Sequence, residues 1–332
     1  MVTTFYMTYL GIDIGKDWLV VARQELPDEQ SSKSFVVEKI ANTIESINDW
    51  LSKTTLEATQ IIFEATGKYS YRLAYCLDLA SVAYSIITPS QSHGFAQSMQ
   101  IVSQNDERDA ILLCIYGKRF TPQVSEIVDE KLHQLRQKRN HLSSLIAQNQ
   151  VISNQLHALG FDPRADKMVK ASLETVQQII QTQMDSFKDE LYNLNDDAYQ
   201  KIYKQLIGIT GIGPASASAL IIATNGFKNF DAAKKVSKFL GTIPASKDSG
   251  TSVRIKGRII KTGFPQVRAI LYMAARSAKK YNLACKELYE RLRAKGKCHK
   301  VAMVAVINKL IKQAFAIVKN NTSFDNNYAI AK

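Results

Sequence analysis

Apolar and polar positions alternate in two different ways along the chain, and the change falls near residue 120. Before it, short apolar runs that are typical of buried strands are separated by turn signals and helix-like segments. The predicted strands are residues 6–14, 18–23, 34–37, 61–63 and 82–88. The predicted helices include residues 42–51, with Asn42 or Thr43 as N-cap, and a helix through Leu73 and Leu77. Strands alternating with helices predict a mixed or parallel sheet covered by helices.

From residue 121 the apolar positions recur three, four or seven residues apart, which is the spacing of long amphipathic helices. The first run is Leu132, Leu135, Leu142, Ile146, Ile152, Leu156 and Leu159, and the second is Leu173, Val176, Ile180, Met184, Phe187 and Leu191. Residues 160–163 carry Gly and Pro and break the pattern. Two helices joined by a turn indicate a helical hairpin or a coiled coil. The spacing leaves open whether this segment is an intramolecular spacer or an oligomerising element.

The remaining chain is mostly helical, so we expect three segments: an α/β domain at 1–120, a coiled-coil or hairpin segment at 121–200, and a helical domain at 201–332. The apolar stretch 301–318 is interrupted by Asn308, Lys309 and Lys312. A membrane span needs about 20 mostly apolar residues. We therefore expect a packed helix there, and no membrane association.

Charge is distributed unevenly. Hydrophobic residues make up 45% of the chain and charged residues 22%, which is ordinary for a globular protein and excludes a disordered or fibrous one. The net charge is +13, but residues 201–332 hold 25 Lys and Arg against 5 Asp and Glu, whereas the first 200 residues hold 18 against 25. A strongly basic second half predicts a polyanionic partner.

The chain begins without the basic segment and small-residue cleavage site of a signal peptide. Its four cysteines, Cys76, Cys114, Cys285 and Cys298, are far apart and form no CxxC pair. This pattern argues against a zinc ribbon or a disulfide framework and favours the reducing cytoplasm.

Four acidic residues occupy positions where an acid is unexpected or well placed for chemistry. Asp13 lies inside the first apolar strand, and Glu64 directly follows the strand 61–63. Asp106 and Asp109 are three residues apart at the start of a helix, so they share one helical face. A charge in an apolar strand is costly without a partner, and carboxylate oxygens suit Mg²⁺. Two such ions about 3.5–4 Å apart would clamp the oxygens of a phosphoryl transfer.

Other roles for these acids remain open at this point. Asp106 and Asp109 are also residues that cap helices, and Glu64 precedes an ordinary turn.

The segment 204–219 carries a glycine-rich turn between two helical patterns. Gly211 and Gly213 allow backbone N–H groups to approach a phosphate closely, and the helix that follows favours an anion. This predicts a helix-hairpin-helix that binds nucleic-acid backbone. The alternative is a tight Gly-Pro turn between packed helices.

A polar loop beside clustered cations follows this turn. The cations are Arg254, Lys256, Arg258, Lys261, Arg268 and, in a second basic cluster near the end of the chain, Lys297. We expect them to contact phosphates. The Ser249-Gly250 step would place a hydroxyl near a phosphodiester, although serine needs a base or strong electrostatic help to act as a nucleophile.

In order along the chain, these motifs resemble those of the DEDD transposases of insertion sequences, a family also called bridge-RNA-guided recombinases. The motifs are Gly11-Ile12-Asp13-Ile14-Gly15-Lys16, Glu64-Ala65-Thr66-Gly67-Lys68-Tyr69, Pro89, Asp106-Glu107-Arg108-Asp109-Ala110, Gly211-Ile212-Gly213-Pro214, Gly241 with Pro244, Ser249-Gly250, Arg268-Ala269-Ile270-Leu271 and Gly296-Lys297. Each motif is weak alone, and their joint order is specific. Asn105 departs from the pattern, because many members carry Thr there.

The resemblance implies a RuvC-like N-terminal domain of RNase H-like fold whose acids Asp13, Glu64, Asp106 and Asp109 bind two Mg²⁺ ions. It implies that Ser249 attacks the DNA backbone and holds it as a covalent phosphoserine. It also implies dimers that assemble into tetramers, donor and target DNA as substrates, and a structured noncoding guide RNA. No motif identifies the base that would activate Ser249.

Two competing hypotheses predict different behaviour. A RuvC-like junction nuclease would cut DNA with a Mg²⁺-activated water and without a serine adduct. A noncatalytic nucleic-acid-binding scaffold would need the cations but none of the four acids.

Overall fold

The chain forms two compact units in a computed structural model, residues 1–127 and residues 128–332. The structure describes residues 8–26, 32–100, 105–125, 129–193, 197–244, 248–249, 253–254, 259–260 and 263–327. The predicted phosphate contacts Lys256, Arg258 and Lys261 lie outside the described residues. The predicted division of the second unit at residue 200 stays a prediction.

A five-stranded sheet forms the centre of the described part of the first unit. Its strands are β1 (Thr8–Ile14), β2 (Trp18–Gln24), β3 (Phe35–Ala41), β4 (Thr59–Glu64) and β5 (Ala83–Ile87). Their order is β3-β2-β1-β4-β5. β2 is antiparallel to both β1 and β3, whereas β4 is parallel to β1 and to β5. Each apolar run that predicts a strand forms one, and the sheet is mixed.

Helices cover both faces of this sheet. They are α1 (Ile44–Lys53), α2 (Tyr71–Leu79), α3 (Pro89–Ser98) and α4 (Asp106–Phe120), with 3-10 turns at Ser32–Ser34 and Gly67–Ser70. Successive strand side chains point to opposite faces. Ile12 and Phe63 therefore pack with Leu73 of α2 on one face, and Ile62 packs with Leu113 of α4 on the other.

Two glycines let the backbone of α4 lie directly on the sheet. A Cβ atom on Gly11 would lie 2.0 Å from the carbonyl oxygen of Ala110, and one on Gly117 would lie 2.7 Å from a ring carbon of Tyr9. Because Ala110 lies beside Gly11 and Gly117 beside Tyr9, α4 runs antiparallel to β1. The first turn of α4 is therefore at the carboxyl end of β1.

The described part of the second unit is almost entirely helical. Its helices are α5 (Glu130–Leu159), α6 (Lys167–Tyr192), α7 (Asp197–Ile207), α8 (Pro214–Thr224), α9 (Ala233–Phe239), α10 (Pro265–Tyr281), α11 (Leu283–Ala294) and α12 (His299–Asn320). The short strands β6 (Asp248–Ser249) and β7 (Val253–Arg254) pair antiparallel.

The long helices α5 and α6 are joined by a short turn and pack against each other. α5 contributes Leu142 and Leu145 to the core, and α6 contributes Met184. Ile146 and Val176, which the spacing places in the apolar seam, are instead 46% and 42% exposed. The heptads are imperfect, so the apolar stripe drifts around each helix and turns these two residues away from the core.

The helix α12 lies at the centre of the second unit. Its Val306, Leu310 and Ile311 are fully buried in the largest apolar cluster. By length and hydropathy it is the one helix among the described residues that would be able to cross a membrane. Its burial against the neighbouring helices agrees with the predicted packed helix.

Candidate active site

Two of the four acids lie side by side where parallel strands end. β1 and β4 are in register from Thr8 opposite Thr59 to Ile12 opposite Phe63, so Asp13 and Glu64 are the next residues on neighbouring strands. Their side chains are both half-buried. Since Gly11 faces α4 and side chains alternate along a strand, Asp13 also faces α4.

The first turn of α4 brings the other two acids to the same edge. Asn105 is the N-cap: its Oδ1 accepts a hydrogen bond of 2.8 Å from the backbone N–H of Arg108. The capping role that would explain Asp106 and Asp109 is thus performed by Asn105. Asp109 is half-buried and Asp106 is exposed on the same helical face. Many family members carry Thr at position 105, and the Asn of this chain still caps the helix.

The four carboxylates interact electrostatically. Burial raises the pKa of Asp13 from its usual 3.8 to about 6, and the negative charges of Asp106, Asp109 and Glu64 add to the effect, while a hydrogen bond from the Ile14 backbone opposes it. Burial, Asp106 and Glu64 also raise the pKa of Asp109. A bound cation would favour the ionised form of both Asp13 and Asp109.

Two residues that the sequence analysis did not select complete this edge. The Oγ of Ser92 donates a hydrogen bond to Oε2 of Glu64 and is also 3.0 Å from the carbonyl oxygen of Pro89; the charged acceptor is the stronger. His93 lies close enough to lower the pKa of Asp109. Both side chains line a cavity of about 70 Å³ with Asp13. The structure places them there because α3 begins directly after β5, the strand beside β4.

The donor set fits a hard divalent cation. Mg²⁺ prefers carboxylate oxygens, retains several waters and is held by only one or two carboxylates plus substrate phosphates. Among the described residues, no three ligand side chains converge on a single point as they stand. A pair such as Asp13 and Glu64, or Asp13 and Asp109, together with water and a phosphate, meets the requirement.

Ser249 lies in the second unit, on a two-stranded ribbon. Ser249 pairs with Val253 and Asp248 pairs with Arg254. An isolated bridge between Pro244 and Ile259 extends the ribbon toward its base. For Ser249 and Arg254 the structure describes only the backbone. Arg254 is thus across from the residue that precedes Ser249.

The glycine-rich turn connects α7 and α8. Gly211 has a φ of +104°, and a Cβ there would lie 2.6 Å from Cβ of Ala278 in α10. A Cβ on Gly213 would meet nothing within 4 Å. The N–H of Gly213 already donates to Oγ of Ser216 at 2.9 Å. Gly211 is therefore required for packing, while Gly213 leaves open space beside the backbone.

The two remaining predicted cation contacts differ in their environment. Arg268 of α10 is half-buried, and its Nη1 donates to the carbonyl oxygen of Leu240 at 3.2 Å. One of its N–H donors is thus used to bind the backbone of Leu240, directly after α9. Lys297 is exposed in the turn before α12, and its own carbonyl oxygen accepts from Nη1 of Arg293 at 2.6 Å.

Two family models match different parts of the chain. A DEDD transposase model of the IS110 type matches residues 10–159, which contain all four acids. The model described as the transposase IS116/IS110/IS902 family matches residues 203–290, which contain Ser249. A DEDD domain implies an RNase H-like fold, and the mixed sheet with β1 at its centre agrees with that fold.

Proteins of similar sequence include two that are named pilin gene-inverting proteins. The one from Moraxella bovis is 27% identical over 331 residues, covering 96% of this chain and 98% of the relative. The one from Moraxella lacunata is 26% identical over 270 residues, covering 80% and 81%. An uncharacterized 43.6 kDa protein of the insertion element IS110 from Streptomyces coelicolor is 25% identical over 121 residues, covering 36% and 30%.

Proposed function

The chain belongs to the IS110 family of transposases, and we propose that it cuts and rejoins DNA through a covalent phosphoserine at Ser249, with Mg²⁺ at its four acids. As a transposase and site-specific recombinase it acts on DNA. The observation that carries the proposal is the position of Asp13, Glu64, Asp106 and Asp109 at one edge of the sheet, where the negative charges of the other three acids add to the raised pKa of Asp13.

The residues of the first unit hold and orient the reacting phosphate. Bound divalent ions would stabilise the negative charge that develops on the phosphate oxygens. Asp13 and Glu64 are fixed by the paired strands, and Asp109 is fixed by the close packing of α4 on Gly11. Ser92 orients the carboxylate of Glu64 through its hydrogen bond. A ligand set on rigid elements suits a reaction whose catalysis is mostly positioning.

Ser249 supplies the nucleophile in this proposal. Its Oγ attacks the phosphorus of a DNA phosphodiester, a new P–O bond forms and the bond to the 3′ oxygen breaks. The serine loses its proton and the leaving 3′ oxygen gains one. Rejoining reverses the step with a different 3′ hydroxyl. The support is the family match over Ser249 and its position in a ribbon whose strand β7 carries Arg254.

The second unit binds nucleic-acid backbone, and a structured noncoding RNA chooses the DNA sites by base pairing. This division leaves to the protein only shape and phosphate recognition. The excess of 25 Lys and Arg over 5 Asp and Glu after residue 200 supports it. The turn between α7 and α8 acts as a helix-hairpin-helix, with the open space at Gly213 facing a phosphate. Arg268 and Lys297 contribute charge.

The hairpin of α5 and α6 joins copies of the chain into dimers and then tetramers. Its turn exposes large apolar side chains: Phe161 is 77% and Met168 is 82% exposed. Val176 and Ile179 continue this exposed surface along α6. Apolar side chains that no residue of the same unit covers are typical of an interface. A coiled coil between copies would cover them.

A denaturing gel tests the proposal. The protein, purified with its co-transcribed RNA, is mixed with Mg²⁺ and labelled donor and target duplexes carrying the native element ends. We expect a protein–DNA adduct that Ser249→Ala abolishes. Ser252→Ala, a hydroxyl loss three residues away, is the matched control and should retain the adduct.

Cleavage without an adduct, unchanged in Ser249→Ala, would contradict the serine chemistry and favour a RuvC-like nuclease. Full strand transfer by Asp13→Asn and Glu64→Gln would contradict the metal site.

A further inference from the structure

One buried amide ties together the turn after β1, the segment after β4 and the helix α2, each of which carries a positive charge. The side chain of Asn42 is only 2% exposed, and its Nδ2 donates to the carbonyl oxygens of Gly15 at 2.9 Å and of Tyr69 at 3.1 Å. Its backbone N–H donates to the carbonyl oxygen of Asp17 at 2.9 Å. Its backbone carbonyl oxygen accepts a hydrogen bond from the guanidinium of Arg72.

These bonds bring three cations around one pocket. Gly15 precedes Lys16, Tyr69 follows Lys68, and Arg72 binds Asn42 directly. The pocket has a volume of about 350 Å³ and is lined by Lys16, Asp17, Asn42, Lys68, Tyr69 and Arg72. Lys16 and Lys68 are exposed, and neither forms an ion pair within the described part of the chain.

Negative charge near the pocket is small in comparison. Asp17 is exposed on its wall. Glu45 of α1 is a further neighbour, since Arg72 contributes, as the weakest of several causes, to lowering its pKa. The amide orientation of Asn42 is fixed because both of its Nδ2 partners are carbonyl oxygens. Its Oδ1 is buried and has no hydrogen-bond partner in the described part of the chain.

The pocket lies at the same edge of the sheet as the acids. Lys16 follows Asp13 by three residues at the end of β1, and Lys68 follows Glu64 by four residues at the end of β4. A residue adds at most about 3.3–3.6 Å to an extended chain, so each lysine is within about 15 Å of its acid along the backbone. Asp13 faces α4, whereas the pocket is lined by Asn42, just before α1, and by Arg72 of α2, the helix that packs on the other face of the sheet.

We propose that this pocket, which Asn42 assembles from Lys16, Lys68 and Arg72, binds a phosphodiester of the nucleic-acid strand that enters the candidate active site. A strand that places one phosphate at the acids runs past the strand ends of β1 and β4 and offers its next phosphates there. Cations on a fixed scaffold hold that backbone without reading its sequence. Only one part of this inference rests on the proposed function: that the bound strand is the one that enters the candidate active site.

The test measures binding in EDTA, so that no strand is cut and a failure of the serine chemistry leaves the result intact. Labelled single-stranded DNA, single-stranded RNA and duplex DNA of the same sequence are titrated with the full chain at several salt concentrations. The Lys16→Gln, Lys68→Gln double variant removes two phosphate contacts. Arg72 is left in place because it also supports Asn42.

For single strands, log K falls with the logarithm of the salt concentration by about 0.7 for each phosphate contact. The magnitude of this slope should therefore be smaller by about 1.4 in the double variant. Lys16→Arg with Lys68→Arg should restore the parental slope. The matched control is Lys33→Gln with Lys53→Gln, two exposed lysines of the same unit outside the pocket, and it should keep the parental slope.

Comparing the probes identifies whether the bound strand is DNA or RNA. A parental slope in the Lys16→Gln, Lys68→Gln variant on all three probes would overturn the proposal, and so would an equal loss in the control. A parent that binds none of the probes would overturn it as well.

Discussion

Gly11 in β1 and Ala110 in α4 are in direct backbone contact: a Cβ on Gly11 would lie 2.0 Å from the Ala110 carbonyl oxygen. Asp13 is two residues beyond Gly11, and Asp109 precedes Ala110. The contact therefore sets the separation of the two half-buried acids.

Gly11→Ala should destabilise the protein and impair the metal site together. The new methyl group has no room, and overpacking costs about 1–3 kcal/mol. Thermal unfolding with and without Mg²⁺ measures both effects, and the Mg²⁺-induced rise in Tm should shrink. Gly94→Ala in α3 is the control, because a Cβ there meets nothing within 4 Å; in a helix it should be neutral or stabilising by up to about 1 kcal/mol. Equal effects of the two variants would argue against the packing explanation.

Asp13→Asn should raise the Tm in EDTA. The pKa of Asp13 is raised to about 6 in the folded chain, so its ionised form opposes folding. This penalty is absent below about pH 4, grows between pH 4 and 6, and is complete above pH 6. Because the group is only half-buried, solvent screening reduces the gain to about 1 kcal/mol, or about 2–4 °C.

The comparison of Asp13→Asn with the parent is made from pH 4 to 8. The exposed Asp49→Asn in α1, whose carboxylate pairs with Lys53, is the control and should show no such gain. Adding Mg²⁺ should stabilise the parent more than Asp13→Asn. A difference that is constant with pH would show that charge repulsion is not its cause.

Ser92→Ala should weaken metal binding without unfolding the chain. Its hydroxyl orients Glu64, and loss of such an outer partner typically costs 10–100-fold in metal affinity. The Mg²⁺ concentration for half-maximal rise in Tm gives the readout, and Ser92→Thr, which keeps a hydroxyl, should restore most of it. Ser98→Ala removes a hydroxyl that only bonds the Phe95 carbonyl in the same helix, so it should leave the Mg²⁺ midpoint unchanged.

Gly211→Ala and Gly213→Ala should separate packing from nucleic-acid binding in one turn. Gly211 combines a φ of +104° with contact to Ala278, so alanine there should lower the free energy of unfolding by about 2 kcal/mol or more. Gly213→Ala adds a methyl group in open space, so stability should hold while DNA affinity falls. Chemical denaturation and a DNA titration give the two values. Normal DNA binding by Gly213→Ala would show that this turn is not part of the DNA interface.

The sequence predicts the acids well because strand ends follow simple rules. Asp13 lies inside an apolar run and Glu64 directly follows one, so the sequence places each acid on or at a strand; the structure adds that these two strands are parallel neighbours. Asp106 and Asp109 are less determined. Only the structure shows that Asn105 performs the capping and that α4 lies on β1.

Other features depend on contacts that periodicity does not encode. Ser92 follows a proline in an unremarkable polar stretch, and its role requires the position of α3 beside Glu64. Ile146 fits a heptad but is exposed, because the imperfect heptads let the apolar stripe drift around the helix. Of the two predicted caps of α1, Thr43 takes the role by accepting from the Ser46 N–H, and the contacts by which Asn42 joins three segments have no signal in the sequence.

Gly11 of β1 and Gly117 of α4, at the contact between strand and helix, also bear on how copies of such a gene lose activity by mutation. Any first- or second-position base change in a glycine codon that still encodes an amino acid introduces a residue with a Cβ atom, and neither Gly11 nor Gly117 has space for one. Missense change in the Gly11 codon therefore displaces α4 from Asp13 without touching an acidic codon. We expect an insertion element that retains all four acids to lose metal affinity through such a change, at a position that carries no chemistry.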